Sequence, residues 1–280
     1  MQWEELTSDN FAKAVVECKG VCLLSLGVME RHGLHMPLGT DMFIGQHICN
    51  QAALKEQAVV FPPWFLGQIY EAKCFPGTVT IPPRLLLELM LSIFDEIGRN
   101  GFTKIVTFIA HGGNNFLARF LAQCQLDQPK PYQVYAFDYW GGMSAQEKAA
   151  WKQCLVTDGG GHAGESETSS VLAVRPDLVR MEAVGQRSGE PRGKMKHVSA
   201  GFSGWGWYGD FPTHWSGDAR PATAEKGKIL LGAQVEALAR FVKAVKDDST
   251  TPALAEEFWR KEASLRAKGP AKGKRGSRRT

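Results

Sequence analysis

No stretch of this 280-residue chain approaches the ~20 consecutive apolar residues that a membrane span requires. The opening MQWEELTSDNFAKAV has neither a basic n-region nor an apolar h-region, and does not read as a secretory signal. Six cysteines are present but no C-x-x-C pair, which excludes zinc ribbons and thioredoxin-like redox motifs. They are expected to be reduced and mostly buried, as in a cytoplasmic protein. G-x-x-x-x-G-K-[ST] is absent, and no G-x-G-x-x-G follows the first apolar run, so neither common nucleotide fingerprint is met. Neither an internal repeat nor a linker interrupts the body of the chain.

Acid is missing from one place in particular. Residues 266–280, RAKGPAKGKRGSRRT, carry seven cations and no Asp or Glu, while the whole chain is only +4. Removing those seven leaves the rest at −3, so the body is mildly acidic. The tail has almost no apolar content and is expected to be disordered and solvated. The body lacks the basic, aromatic-interleaved pattern of a nucleic-acid binder, so neither nucleic acid nor membrane is expected as a partner.

What is present alternates. VCLLSLG (21–27), KIVTFIA (104–110) and YQVYAFDYW (132–140) read as strands. PPRLLLELMLSIFDEIGRNG (82–101) has polar residues at spacings of three and four, opens on two prolines and closes on Gly101, which reads as a helix. Helices are also expected over 115–125, from 167 to the residue before Pro176, over 223–248 and over 253–267. Strands alternating with helices predict an α/β layered fold with a mostly parallel sheet. The division expected is a body of residues 1–250, a C-terminal helix over 251–265 and the basic tail over 266–280.

Chemistry concentrates in three loops. MERHGLHMPLGTD (29–41) follows the first strand, HGGNN (111–115) follows the second, and DGGGHAGESETS (158–169) runs into a helix. Ligand sites in open α/β sheets lie beyond the carboxyl ends of the strands. Glu30, His32, His35, Asp41, His111, His162, Glu165 and Glu167 are therefore candidates to meet at one sheet edge. Imidazoles with carboxylates suit a divalent-metal site, in which a carboxylate can bridge two ions that activate water. A phosphate cradle is the competing reading of the glycines. Trp205, Trp207 and His214 lie in an irregular, glycine-rich stretch and are candidates to line a substrate pocket, core packing or a subunit contact being the alternative.

In order along the chain, ERHGLHMPLGTD, FPGT (75–78), HGGNN, GHAGESETS and GDARPATAEKG (217–227) together resemble the creatininase (creatinine amidohydrolase) family over roughly residues 10–245. The resemblance implies a three-layer α/β/α sandwich and a homo-oligomer, often a hexamer. It implies two divalent ions per chain (zinc, manganese or iron) and hydrolysis of C–N bonds in small cyclic amides or related compounds, some members cleaving peptides. Glu30, His32, Asp41 and His111 match metal ligands, with Asp41 as the bridge. Creatininase places a glutamate where this chain has Gly113, and Glu167 resembles its replacement. His162 matches a histidine near the substrate, with Glu165 as the competing proton shuttle. His35 and Asn114 are expected to support the ligands from behind. The family usually has Pro at Ser25 and Gln at Arg31, and often a histidine at Ala72, so creatinine itself is not the expected substrate. The alternatives are ring opening of a cyclic ketone or lactone by the same activated water, and a non-catalytic metal-binding relative.

Overall fold

Val21–Leu26 and Lys104–Ile109 are buried along their whole length, which is why both read as continuous rather than alternating runs. They are the two central strands of a sheet covered on both faces. The computed structural model describes residues 1–158, 161–185, 189–198 and 200–268. In chain order the elements are α1 (Ser8–Glu17), β1 (Val21–Leu26), α2 (Thr40–Lys55), β2 (Val59–Val60), α3 (Pro83–Arg99), β3 (Lys104–Ile109), α4 (Asn114–Gln123), β4 (Gln133–Phe137) and α5 (Tyr139–Gly142). These are followed by α6 (Ala145–Cys154), α7 (Glu165–Val174), α8 (Gly206–Asp210), α9 (Ala224–Asp247) and α10 (Thr250–Lys268).

The strand order is β2-β1-β3-β4 and every pairing is parallel. Parallel neighbours need crossover connections, and helices supply them. Side chains alternate between faces along each strand. Val21, Leu23, Val106 and Phe108 face one core with Ile48 and Ala52 of α2, Val171 of α7 and the inner stripe of α9. Cys22, Leu24, Ile105 and Ile109 face the other with Ala14 of α1, Leu86, Met90 and Phe94 of α3, and Leu121 of α4. The result is the three-layer α/β/α sandwich with a parallel central sheet.

Element ends have local causes. Pro83 opens α3, where a missing N–H has no intrahelical partner to lose. The Thr223 hydroxyl accepts from the Lys226 N–H and starts α9. At the other end of α9, the buried Lys104 ammonium donates to the carbonyls of Val245, Lys246 and Asp248, satisfying acceptors that a helix end leaves open. The strand expected to run to 140 stops at Phe137, because the Asp138 carboxylate accepts from the Trp140 N–H and turns the chain into α5. The last helix extends to Lys268, three residues into the expected tail, and residues 269–280 lie outside those described. All six cysteines are free, with Cys18, Cys22 and Cys49 buried and Cys74 exposed. Among the described residues no helix is long and apolar enough to cross a membrane.

One pairing positions the site. β1 and β3 are in register to their last residues, Leu26 opposite Ile109. The loops that follow them therefore leave the sheet at the same level and side by side.

Candidate metal centre

The loop after β1 is folded tightly by its own backbone. The Glu30 N–H donates to Leu38 O and the Thr40 hydroxyl to Pro37 O. Gly33 has φ +63°, and a Cβ there would meet the His35 ring at 2.8 Å, so the turn needs glycine. These bonds return the chain to the sheet edge, where Asp41 lies in the first turn of α2, the end of a helix that favours negative charge. His111 follows β3 directly. Glu167 lies in the first turn of α7, and its Oε2 accepts from the Ala163 N–H at 2.6 Å.

Three donor groups result, each with its ligand atoms within 4.8 Å of one another: Glu30, Asp41 and His111; His32, Asp41 and Glu167; and Glu30, His32 and His162. Asp41 belongs to the first two. His111 Nδ1 lies 2.8 Å from Glu30 Oε1 and 3.1 Å from Asp41 Oδ2. His32 Nε2 lies 3.3 Å from Asp41 Oδ1 and 3.8 Å from Glu167 Oε2. Yet Glu30 Oε1, Asp41 Oδ2 and His32 Nε2 are all buried without a hydrogen-bond partner. Buried acids and imidazoles are ordinarily bonded. Donor atoms this close, turned to a common point rather than to each other, fit a divalent cation. Oxygen and imidazole nitrogen without thiolate suit zinc, manganese or iron.

The imidazoles are fixed by what lies behind them. His32 Nδ1 is 3.2 Å from Glu30 O, and because a carbonyl only accepts, Nδ1 keeps a proton and Nε2 is the nitrogen turned to the acids, bare once the imidazolium gives up its second proton. His162 Nε2 donates in the same way to Arg31 O at 2.7 Å, leaving Nδ1 bare, 3.9 Å from Glu167 Oε2. The His32 and His162 rings lie 4.2 Å apart.

Charge is balanced within the cluster. Burial opposes ionisation of Glu30, but the neighbouring His111 charge, with hydrogen bonds from His111 and His214, outweighs it and holds the carboxyl well below its usual range. His32 is pushed up to about 9: burial disfavours its charge, and the neighbouring Asp41 more than offsets that. His111 also rises well above its ordinary value, Glu30 and Asp41 overcoming burial. His162 falls to about 3 through burial and the nearby His32 charge, so it is neutral at physiological pH. Without metal, His32 therefore holds a proton up to about pH 9, and an ion must displace it. Zinc uptake by the stripped protein is expected to tighten at least about tenfold from pH 6.5 to 8.5, with proton release. Calorimetry in two buffers of different ionisation enthalpy measures both, and an affinity independent of pH would contradict the arrangement.

Other expected site residues are distributed unevenly. His214, expected to line a pocket, instead reaches the cluster itself: its Nδ1 accepts from Trp207 Nε1–H at 3.1 Å, and its Nε2 donates to Glu30 Oε2. It does so from a left-handed backbone, φ +55°, that a non-glycine residue rarely adopts. Trp207 stands edge-on to His162, whereas Trp205 is 73% exposed and takes no part. His35 bonds the Thr168 hydroxyl at 3.0 Å and ties the first loop to α7. Asn114 joins Leu26 O to the Gln68 N–H at the end of β1, behind the ligands. Glu165 is not brought to the cluster: its carboxylate is held by Lys226 and by the Val156 and Thr157 N–H groups, so the structure gives it the work of a strut rather than a shuttle. A Cβ at Gly113 would meet Gln68 Oε1 at 2.1 Å, so no acid fits there without a shift, and Glu167 is the carboxylate that reaches the centre.

Beside Asp41 and Glu167 opens a cavity of about 580 Å³, walled by Tyr139, Trp140 and Trp151 with Gln234. Sequence reading missed these walls. The signal for Tyr139 and Trp140 is the DYW that follows β4, since β4 finishes at the same sheet edge as the ligand loops.

A carboxylate and imidazole cluster with unpaired inward donors, at the carboxyl edge of a parallel α/β/α sheet and opening on a cavity, is a candidate divalent-metal centre of an α/β/α protein. The chain belongs to the creatininase family, whose profile, described as creatinine amidohydrolase, matches residues 4–242. It is 30% identical over 234 residues to the mycofactocin precursor peptide peptidase of Mycolicibacterium smegmatis, covering 81% of this chain and 85% of that one. It is 24% identical over 258 residues to creatinine amidohydrolase of Pseudomonas putida, covering 85% and 95%. It is 23% identical over 268 residues to the 3-dehydro-scyllo-inosose hydrolase of Thermotoga maritima, covering 88% and 83%. Among solved structures, a creatinine amidohydrolase crystal structure superposes with a TM-score of 0.71 at 22% identity, covering 89% of this chain and 98% of that one. Similar creatininase structures include a manganese form and a Zn-Zn form of a mutant.

Proposed function

We propose that this chain hydrolyses a C–N bond with two divalent ions, one held by Glu30, Asp41 and His111 and the other by His32, Asp41 and Glu167. The observation that carries this reading is that Asp41 offers an oxygen to each donor group. Divalent ions there would polarise a carbonyl and make water a nucleophile near neutral pH.

The chain's own residues supply the rest. His111 lies toward one oxygen of Asp41 with Glu30 beside it, and His32 toward the other with Glu167 beside it, so one carboxylate joins the two donor groups. His162 is neutral, with its Nε2 proton committed to Arg31 O. Its bare Nδ1 would accept a hydrogen bond from the attacking water and pass the proton toward the leaving nitrogen without storing it. Tyr139, Trp140 and Trp151 hold the substrate and thin out the water around it. We assign the activity to residues 1–250, acting as a homo-oligomer.

A second reading concerns substrate size. A cavity of about 580 Å³ exceeds what one small ring fills, which favours a short peptide segment beside the small cyclic amide. The third, ring opening of a cyclic ketone or lactone, keeps the same groups and releases no nitrogen. One panel separates them: zinc- or manganese-loaded protein offered cyclic amides, short peptides, and cyclic ketones or lactones, with ammonia or amine and new acid measured together. Amine or ammonia with acid is expected. Acid alone, from ketone or lactone, would replace the C–N reading, and a protein that takes up no divalent metal would remove the hydrolase reading altogether.

A further inference from the structure

We propose that a second pocket, on the Arg31 side of the ligand cluster, binds an oxyanion carried by the substrate: a carboxylate, or a phosphate or sulfate group. This rests on the hydrolase reading only for what the anion is attached to.

Arg31 stands between two donor residues, Glu30 and His32, and its carbonyl takes the His162 hydrogen bond. Its side chain thus leaves the backbone at the wall of the centre. The guanidinium carbon lies 4.8 Å from the centroid of Phe75, and Phe75 in turn packs at 5.7 Å on His214. Stacking fixes the plane of the guanidinium without using any of its N–H donors. Its Nε is buried and has no hydrogen-bond partner. A buried donor is seldom left unmade, so this guanidinium has hydrogen-bonding capacity that the protein itself does not use.

The space in front of it is a cavity of about 880 Å³, which Arg192 and Arg220 also line. Acids line it too, but they are engaged. Asp210 accepts from the Lys194 N–H, and Glu190 has a partner of its own. Arg220 is held in bidentate fashion by Asp218. Among the described residues neither Arg31 nor Arg192 forms an ion pair with a carboxylate, so two guanidinium forks line one cavity unpaired, with the charges of Glu190 and Asp210 at its rim. Such forks match the paired oxygens of carboxylates and phosphates.

Sulfate is the probe, measured by calorimetry on wild type, Arg31→Gln and Arg192→Gln, each stripped of metal and then zinc-loaded, with circular dichroism matched among them. Wild type is expected to bind sulfate in both states. Arg31→Gln should weaken binding at least about tenfold in both, the size of a lost charge-assisted bond, and Arg192→Gln severalfold. Competition by propionate and by methyl phosphate then tells a carboxylate site from a phosphate or sulfate site. Equal binding by wild type and both variants, or no binding by wild type, overturns the site. Sulfate bound only when zinc is present, and indifferent to Arg31, also overturns it while leaving the hydrolase reading intact. Arg31-dependent sulfate binding in a protein that never takes up metal sustains the site and removes the hydrolase reading instead.

Discussion

Replacing Asp41 with Asn is expected to empty the whole centre, not half of it. Its Oδ1 faces His32 and its Oδ2 faces His111, so one substitution takes a charged ligand from both donor groups at once. Asn keeps the shape but offers one oxygen and no charge. Loss of catalysis should reach at least about a thousandfold in kcat/KM, which is ~4 kcal/mol of transition-state stabilisation. Glu167→Gln, by contrast, touches one donor group and should retain an ion between Glu30, Asp41 and His111. The measurement is metal per chain by elemental analysis on proteins purified without a metal-affinity tag. Near-wild-type metal in Asp41→Asn, or equal losses in the two variants, would sink the shared-ligand arrangement.

The second large effect lies behind the site. Gly45 is one turn along α2 from Asp41, on the same face. A Cβ at 45 would meet Ser25 Oγ at 2.1 Å and Ala110 Cβ at 2.5 Å. The serine hydroxyl can rotate away, but the alanine methyl, fixed to backbone just past β3, cannot. Gly45→Val must push α2 off the sheet, and overpacking of this kind costs about 3 kcal/mol. Tm should fall by about 6 °C or more, with weaker zinc binding as Asp41 moves with its helix. Gly232, in α9, is the control: a Cβ there meets nothing within 4 Å, so Gly232→Ala should be neutral or slightly stabilising. A Gly45→Val protein that melts within a degree of wild type would show that α2 is not seated as described.

The parts of this molecule that were legible in the sequence are those whose cause is local. β1 and β3 are buried on both faces, so their apolar runs are unbroken, and α3 shows its amphipathic spacing plainly. The α2 helix gave no such signal. Its buried side includes Asp41, Gly45, Cys49 and Ala52, small or polar residues that no apolar stripe reveals. Glu30, His32, Asp41, His111 and Glu167 were legible because short loops concentrate them, and they converge as their placement after the strands implied. His214 was read as a pocket lining, since nothing in local spacing ties residue 214 to Glu30. Trp140 was hidden by reading a strand through the Asp138 cap. Glu165 and Glu167 are neighbours in one motif, yet only tertiary structure shows that one serves Lys226 and the other the centre.

The matched ends of β1 and β3 bear on when in the life of the chain an ion can arrive. Parallel strands so far apart in sequence pair only after a long crossover has closed, a slow and non-local step. Until then Glu30 and His111 are not neighbours, and the shared carboxylate has no second imidazole to share with. Glu167 is synthesised later still, and α7 must dock before it can contribute. A nascent chain thus offers only the partial set of the first loop, Glu30, His32 and Asp41, with no grip to match that of the finished cluster. An ion that fills the cluster would then be drawn from those at hand once folding is over, because the complete donor set does not exist sooner.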